Sequence, residues 1–320
     1  MYTRRDFAKT ALTALPFAAP LFAQSKVAPF ASRFNGVQIG AQTYCYRSLK
    51  DPKEPWSAAA MDRLLDRVVA AMVQNQINAA EFWIAFVEPP GGPGRTPADP
   101  KLREALRKWR ASKPLDLFAG YRKKFNNAGI GIYSAMFNFS DDLSAEETDF
   151  GFECAKALGT SILTANCTRR SVKRAAPYAD KHKIYLSAHS EDAPFDPDID
   201  GMVFGDNLED ALKYSPYMRI TLDTGHFTAY GGDVLVFMRK HHERIANLHL
   251  KDRLKNHPEF HTDENTPEWG KGNAPIKDAL QLMKRENYKF AACIEYEYKS
   301  GRPAVEEVQR CLDYAKEALA

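Results

Sequence analysis

The 320-residue chain lacks the features that mark several large classes of protein. No apolar run reaches the roughly 18 residues that a membrane-spanning helix needs, so an integral membrane protein is not expected. The formal net charge is only +3, from 44 basic and 41 acidic residues, which gives no basis for a nucleic-acid-binding surface. Charged residues make up 27% of the chain and hydrophobic residues 44%, a composition that excludes intrinsic disorder.

Several catalytic motifs are absent as well. The sequence contains no G-x-S-x-G, no phosphate-binding P-loop and no H-E-x-x-H, so serine hydrolases, nucleoside triphosphatases and the H-E-x-x-H metalloproteases lack support. The five cysteines are widely spaced, and none forms a C-x-x-C pair: Cys45, Cys154, Cys167, Cys293 and Cys311. We therefore expect small buried apolar residues rather than a thiolate metal site or a disulfide framework.

The N-terminus resembles a twin-arginine export signal. Arg4 and Arg5 precede Phe7, and an uncharged stretch rich in alanine and leucine follows over residues 10–25. Two prolines within that stretch argue against the alternative, an amphipathic first helix. We therefore expect residues 1–23 to be a signal peptide and the mature protein to be periplasmic or secreted.

Residues 24–35 are expected to form a linker, and residues 36–320 show short β-rich runs that alternate with helical patterns. Eight candidate strands begin near Gly36, Ala79, Gly129, Ser161, Ile184, Arg219, Ala246 and Ala291. Helical patterns cover residues 58–74, 115–127, 145–158, 207–214, 234–241, 276–285 and 304–319. Eight alternations predict an α/β fold, a single-domain (β/α)₈ TIM barrel.

The alternative fold is an open, doubly wound sheet. Such a sheet usually has a glycine-rich phosphate loop after its first strand, and residues 45–50 contain no glycine. The Pro/Gly-rich stretch over residues 88–100 follows the second predicted strand. In a barrel it would therefore lie at the catalytic face as a lid or rim loop.

The last four predicted strands end in polar residues. Alternate residues of a barrel strand face the lumen, so placing the leucines and isoleucines against the helices turns their neighbours inward. Parity directs these side chains into the lumen at the C-terminal strand ends: Ser187, His189, Asp223, His249, Lys251 and Glu295. Two carboxylates with one or two imidazoles suit Mn²⁺, Zn²⁺, Co²⁺ or Mg²⁺, and the alternative is a polar plug without an ion.

Three segments resemble motifs of the sugar phosphate isomerase/epimerase family, the xylose isomerase-like barrels: Asp-Thr-Gly-His at 223–226, His-Leu-Lys-Asp at 249–252 and Ile-Glu-Tyr-Glu at 294–297. The Trp-Gly-Lys-Gly segment at 269–272 and Glu81 resemble further family features. The resemblance implies a divalent ion held by Asp223, His249 and Glu295. Ser187 departs from the family's acid or histidine on the fifth strand, so either His189 substitutes or water completes a three-ligand site.

The resemblance also implies a small-molecule carbohydrate substrate and abstraction of a proton next to its carbonyl. Glu295 is the predicted base, Lys251 or the metal ion would stabilise the oxyanion, and His226 is a further catalytic candidate. The predicted substrate contacts are Glu81, Trp83, Asn138, Asn166 and His189.

The family's epimerases resemble one another in using two metal-bound glutamates, and Ser187 replaces one of them. One-base chemistry would suit a lyase or hydratase acting on 3-keto glycosides. Isomerisation or epimerisation, elimination, and a non-catalytic sugar-binding barrel therefore remain open.

Overall fold

The computed structural model describes residues 30–89, 97, 99–191, 205–257 and 264–320. The predicted signal peptide and the first half of the predicted linker lie outside the described residues, so the export signal stays a prediction. Among the described helices, none combines the length and the apolar character that crossing a membrane requires.

Within the described residues, nine strands form one sheet, with residue ranges β1 Arg33–Phe34, β2 Val37–Gln42, β3 Ala79–Trp83, β4 Gly131–Phe139, β5 Ile162–Cys167, β6 Tyr185–His189, β7 Met218–Asp223, β8 Ile245–Leu250 and β9 Ala291–Ile294. Strands β2 to β9 are parallel and pair in sequence order, and β2 also pairs with β9. The sheet is thus a closed eight-stranded barrel, and the predicted TIM barrel is confirmed. The short strand β1 pairs antiparallel with β2.

Helices surround the barrel, with residue ranges α1 Ala58–Gln74, α2 Pro100–Ala111, α3 Leu115–Asn127, α4 Ala145–Leu158, α5 Arg169–His182, α6 Gly205–Ala211, α7 Thr224–Ala229, α8 Val234–His241, α9 Ile276–Glu286 and α10 Ala304–Leu319. The 3₁₀ segments Thr43–Leu49, which is kinked at Tyr46, and Ile84–Phe86 follow β2 and β3. Local signals fix several ends: the Ser144 side chain and Glu147 form a capping box at the start of α4, and Gly159 ends that helix in the left-handed conformation.

Three helices do not follow the predicted pattern. The buried face of α2 cannot be recognised from an apolar pattern, because two of its three buried residues, Arg103 and Arg110, are charged. The buried face of α5 is mostly alanine, and Pro177 lies inside the helix. Helix α7 is a single short segment whose N-cap is Asp223, directly after β7. The buried faces of these three helices contain few large apolar side chains, which explains why the apolar pattern did not predict them.

Side chains alternate between the two faces of each strand, and this alternation determines which residues face the lumen. Leu222, Leu248 and Ile294 are fully buried in the main hydrophobic core, as the parity argument requires. Close packing between strands is also visible at Gly40 of β2, where an added Cβ would lie 2.9 Å from Cys293 Sγ and 3.1 Å from Ala79 O. All five cysteines are free thiols, and only Cys167 is not fully buried.

Candidate metal centre

Four side chains from four consecutive strands meet at the C-terminal end of the barrel. His189 is the last residue of β6, Asp223 the last of β7, His249 lies near the end of β8, and Glu295 directly follows β9. One ligand atom from each lies within 4.8 Å of those of the other three. All four side chains are buried. This group is called the metal cluster below, and its four members are among the six residues that parity directed to one mouth.

The cluster is compact around His249. Its Nδ1 lies 2.7 Å from Glu295 Oε2 and 3.0 Å from His189 Nε2. His189 Nε2 in turn lies 3.7 Å from Asp223 Oδ2. Because Nδ1 of His249 faces the other members, this ring nitrogen is the one placed to bind an ion.

The opposite ring nitrogen of His249 is held by Glu81 on β3. His249 Nε2 donates to Glu81 Oε2 at 2.5 Å. Glu81 also accepts from four further side chains, Gln42 Nε2 at 3.2 Å, Ser134 Oγ at 3.0 Å, Thr164 Oγ1 at 2.6 Å and Asn247 Nδ2 at 3.1 Å. A carboxylate behind a ligating histidine fixes its tautomer and ring orientation. The position of Glu81 therefore favours holding His249 over the predicted contact with substrate hydroxyls.

The predicted strand-five residue Ser187 lies one layer deeper than the metal cluster. It is fully buried, and its Oγ lies 2.7 Å from Thr221 Oγ1. Thr221 also contacts Thr164 Oγ1 at 3.1 Å, so these hydroxyls continue the polar layer around Glu81. His189, two residues later on β6, takes the place at the mouth.

Lys251 is fully buried among carboxylates. Its Nζ lies 3.2 Å from Asp223 Oδ2, 3.5 Å from Glu295 Oε2 and 2.9 Å from Glu297 Oε2. It also lies 2.9 Å from His226 Nε2. A purely structural role of Lys251, as the ion-pair partner of Asp223 and Glu295, is the alternative to binding an oxyanion. Lys251 forms both of these ion pairs.

His226 sits one turn beyond Asp223, in α7. Its backbone N–H donates to Asp223 Oδ1 at 2.7 Å, and its Nδ1 lies 3.2 Å from Arg253 Nη1. The ring thus stands between Lys251 and Arg253, at the edge of the metal cluster.

The charges of this region shift its pKa values in a consistent way. Burial alone would raise the pKa of Glu81, but the positive charge of His249 and several donors outweigh it and lower that pKa to about 2. Burial opposes protonation of His189, yet the nearby carboxylates of Asp223 and Glu191 raise its pKa to about 8. Glu81 and Glu295 likewise raise the pKa of His249 well above its ordinary value, despite burial.

The remaining acids and the lysine shift in the same sense. Burial would raise the pKa values of Asp223 and Glu295, but Lys251 lowers both. His226 and His189 lower the pKa of Asp223 further, and His249 lowers that of Glu295 further. Those same carboxylates hold the pKa of Lys251 well above its usual range, against burial. At neutral pH the carboxylates are therefore ionised and Lys251 is charged.

Two observations show that the residues fit a divalent cation. Asp223 Oδ2 and Glu295 Oε2 are buried and accept no hydrogen bond, although cations lie within ion-pair distance of both. Buried carboxylate oxygens left in this state are costly. The donor set of two carboxylates and two imidazoles also matches Zn²⁺, Mn²⁺ or Co²⁺. An ion at this place would need no change in the ligand set.

The other candidate substrate contacts lie together at the neighbouring strand ends. Asn138 Oδ1 accepts from Trp83 Nε1 at 3.4 Å and from Asn166 Nδ2 at 3.5 Å. Trp83 is 8% exposed and packs edge-on against Tyr44, with ring centroids 5.3 Å apart. These residues come from the ends of β3, β4 and β5, so they extend the polar mouth away from the metal cluster.

The His-Leu-Lys-Asp and Trp-Gly-Lys-Gly segments meet at Asp252. Its carboxylate accepts from the backbone N–H groups of Gly270 at 2.8 Å, Gly272 at 3.0 Å and Ala274 at 3.0 Å. An added Cβ on Gly272 would lie 2.2 Å from Asp252 Oδ1, and Gly270 has a φ of +84°. The glycines are therefore required for the turn to wrap around Asp252, next to Lys251.

Sequence reasoning missed three charged neighbours of the metal cluster. Glu191 Oε2 lies 3.8 Å from His189 Nδ1, Glu297 contacts Lys251, and Arg253 contacts His226. Parity offered a signal for two of them, because Glu297 and Arg253 share the parity of Glu295 and Lys251. Glu191 follows the strand end in a loop, where no period applies.

Comparison with known proteins agrees with the fold. Residues 164–317, which are 154 of the 320, match the family described as Xylose isomerase-like TIM barrel. This matched part contains the whole metal cluster. No curated protein matches the sequence.

Solved structures resemble the chain over most of its length. A sugar phosphate isomerase/epimerase from Parabacteroides distasonis is 16% identical with a TM-score of 0.56, covering 87% of this chain and 95% of that one. The probable 3-DHS dehydratase AsbF of petrobactin synthesis from Bacillus anthracis is 12% identical with a TM-score of 0.56, covering 87% and 99%. The IolI protein with a bound zinc atom is 13% identical with a TM-score of 0.60, covering 89% and 99%. At these identities the likeness establishes a shared TIM-barrel fold.

Proposed function

We propose that this protein is a divalent-metal-dependent enzyme of the sugar isomerase/epimerase type, which removes a proton next to the carbonyl of a carbohydrate. The observation that carries the proposal is the metal cluster, whose four ligand atoms lie within 4.8 Å of one another. Two of its carboxylate oxygens accept no hydrogen bond. A polar plug that only fills the lumen would instead satisfy its buried oxygens with hydrogen bonds.

Known proteins of this fold support the same class of chemistry. The family match covers all four cluster residues, and the similar structures include a sugar phosphate isomerase/epimerase and a probable dehydratase. The IolI structure with zinc supports a divalent ion as cofactor. We propose His189, Asp223, His249 and Glu295 as the ligands.

A bound divalent ion would polarise the substrate carbonyl and so acidify the adjacent C–H. Glu295 is the proposed base, because Lys251 and His249 keep its pKa low and the carboxylate ionised. Lys251 remains protonated and faces the same oxygens, so it is placed to stabilise the oxyanion. His226, 2.9 Å from Lys251, completes this side of the mouth as a hydroxyl contact or proton donor.

The test is deuterium uptake from solvent. The purified protein is incubated in D₂O with a panel of ketohexoses and 3-keto glycosides, and exchange at carbon is followed by NMR. We expect uptake that a chelator abolishes and that one of Mn²⁺, Zn²⁺, Co²⁺ or Mg²⁺ restores. Metal analysis should find one ion per chain in the wild type.

Two variants make the result specific. Asp223→Asn removes a ligand charge, and it should lose both the ion and the exchange. Asp116→Asn removes an exposed charge at the start of α3, and it should behave as the wild type. Absence of a stoichiometric ion from the wild type would contradict the proposal. Sugar binding that persists after chelation, with no C–H exchange in any condition, would instead indicate a non-catalytic binding barrel.

One observation favours elimination as a second candidate reaction. At the end of β6, the side chain at the mouth is the imidazole of His189, because Ser187 is buried one layer deeper. Of the two ligands that we propose at the ends of β6 and β9, only Glu295 is therefore a carboxylate. A single base suits loss of a β-leaving group better than proton exchange from both faces. With a 3-keto glycoside the lyase releases the aglycone, whereas an isomerase or epimerase leaves the glycosidic bond intact. Product analysis separates the two.

A further inference from the structure

Two arginines meet at the N-terminal end of the barrel, away from the metal cluster. Arg219 is the second residue of β7, and Arg244 directly precedes β8. On β7, Asp223 of the metal cluster follows Arg219 by four residues, a separation of roughly 13 Å along a strand. The arginine pair is therefore a separate feature of the molecule.

Both guanidinium groups converge on one carbonyl. Arg219 Nη1 donates to Met218 O at 2.8 Å and to Pro216 O at 2.9 Å. Arg244 Nη2 donates to the same Met218 O at 3.0 Å and to Leu212 O at 3.3 Å. Two like charges are thus held side by side, where they repel each other.

No acid compensates this pair among the described residues. Neither guanidinium forms an ion pair with a carboxylate there, and the Nε–H of each is buried without an acceptor. Arg219 is only 5% exposed, and its nearest aromatic neighbour is Tyr185, with Cζ 4.1 Å from the ring centroid. Burial and the charge of Arg244 lower the pKa of Arg219, and burial lowers that of Arg244. A buried cation without a counter-ion is unfavourable.

A third cation and two phenols border the pair. Lys183 is exposed, with Nζ 5.2 Å from the ring centroid of Tyr217. Tyr217 packs against Tyr185, with ring centroids 5.8 Å apart. This end of β6 and β7 is therefore cationic.

We propose that Arg219 and Arg244 form a binding site for a small oxyanion, with inorganic phosphate as its simplest member. The planar guanidinium group matches the geometry of phosphate oxygens, and the unused Nε–H groups supply donors. The burial of Arg219 restricts the site to a small anionic group, either the free ion or the phosphoryl group of a larger metabolite. The site does not depend on the proposed function of the metal cluster.

The test is calorimetric titration with inorganic phosphate and, in a second arm, with a hexose phosphate. A chelator is present throughout, so that phosphate cannot bind through a divalent ion. We expect saturable binding at one site in the wild type and at least tenfold weaker binding in Arg219→Met and in Arg244→Met. The control Arg239→Met removes an exposed arginine at the end of α8 and should bind as the wild type. Comparable binding of the hexose phosphate would assign the site to a phosphoryl group, and binding of phosphate alone would assign it to the free ion.

The proposal is overturned if the wild type shows no saturable binding, or if both methionine variants bind phosphate as tightly as the wild type. Thermal unfolding adds an independent measurement. Phosphate should raise the Tm of the wild type relative to chloride at equal ionic strength, and this rise should vanish in the variants. If Arg219→Met does not fold, Arg244→Met decides by the same comparison, because the Arg244 side chain is only half-buried.

Discussion

Two clusters of buried charges differ in how completely their atoms are paired. One is the metal cluster. The other, called the outer network here, joins Glu88, which follows β3, to Arg103 and Arg110 of α2 and Glu147 of α4. All four of these side chains are at most 8% exposed.

Every carboxylate oxygen of the outer network accepts a hydrogen bond. Glu88 receives Arg110 Nε and Nη2, both at 2.8 Å. Glu147 Oε1 receives Arg103 Nη1 at 2.6 Å and Arg110 Nη1 at 3.1 Å, and its Oε2 receives Arg103 Nη2 at 2.9 Å. This network anchors Glu88, the first residue of the 88–100 stretch, to two helices.

In the metal cluster, by contrast, Asp223 Oδ2 and Glu295 Oε2 accept nothing. Burial is equal in the two places, so burial alone does not distinguish a site from a structural network. The difference lies in two buried carboxylate oxygens that accept no hydrogen bond, and carboxylate oxygens are ligands that a divalent cation takes. The comparison predicts opposite responses to charge removal.

The largest effect is expected for Asp223→Asn. Loss of a ligand charge should lower turnover by at least about a thousandfold, equivalent to about 4 kcal/mol of transition-state stabilisation. The metal-stripped protein should lose less than about 1 kcal/mol in unfolding free energy, because Lys251 keeps Glu295 and Glu297 as partner charges. Steady-state kinetics and urea unfolding in a chelator measure both. A large loss of stability without metal would show that this carboxylate is structural.

Glu147→Gln should have the opposite effect, which is a large loss of stability without loss of the metal ion. It leaves Arg103 and Arg110 short of a buried partner charge, so the unfolding free energy should fall by about 3 kcal/mol. Metal affinity should not change. The matched control is Glu104→Gln on the exposed face of α2, whose ion pair with Lys108 at 3.7 Å is solvent-exposed and contributes under about 0.5 kcal/mol. Equal stability of the two variants in urea would remove the distinction between the clusters.

The same contrast limits what sequence alone predicts. Alternation of strands and helices predicts the barrel, and parity places Asp223, His249 and Glu295 at one mouth, because a period of two is a local property of the chain. Helix α2 escapes prediction since its buried face consists of Arg103 and Arg110 around a single leucine, and their partners lie far away in sequence. Those arginines are buried because they pair with carboxylates of other parts of the fold, and a hydrophobic period along the helix does not predict this.

The role of Glu81 was also beyond sequence reasoning. Its five donors come from β2, β4, β5 and β8, and only the closed barrel brings them together. The same holds for Ser187 and His189, which share one parity but occupy different layers. Sequence identifies the strand face, whereas strand stagger decides which residue reaches the mouth.

Glu81→Gln tests an intermediate case. Both carboxylate oxygens of Glu81 accept hydrogen bonds, as in the outer network, yet Glu81 contacts His249 of the metal cluster. A neutral amide holds the His249 ring less firmly, so metal affinity should fall about 10- to 100-fold. Competition with a chromophoric chelator measures the affinity. The control Glu88→Gln alters an equally paired carboxylate of the outer network and should leave metal affinity unchanged. If both variants bind metal as the wild type does, Glu81 is only filling the lumen.

The smallest expected effect is the pH dependence of metal affinity. The pKa of His189 is raised to about 8, so below that pH a proton competes with the metal for the ring. The unprotonated fraction rises from about one eleventh at pH 7 to one half at pH 8, so affinity should rise about fivefold over that unit. The raised pKa of His249 steepens the dependence in the same direction. Replacing His189 by glutamine should flatten the profile measured with Mg²⁺ or Mn²⁺, whereas the fully paired outer network gives Glu147→Gln no reason to change it. A wild-type profile that is flat from pH 7 to 8 would mean that neither imidazole gives up a proton when the ion binds, and His189 would then have to be removed from the ligand set.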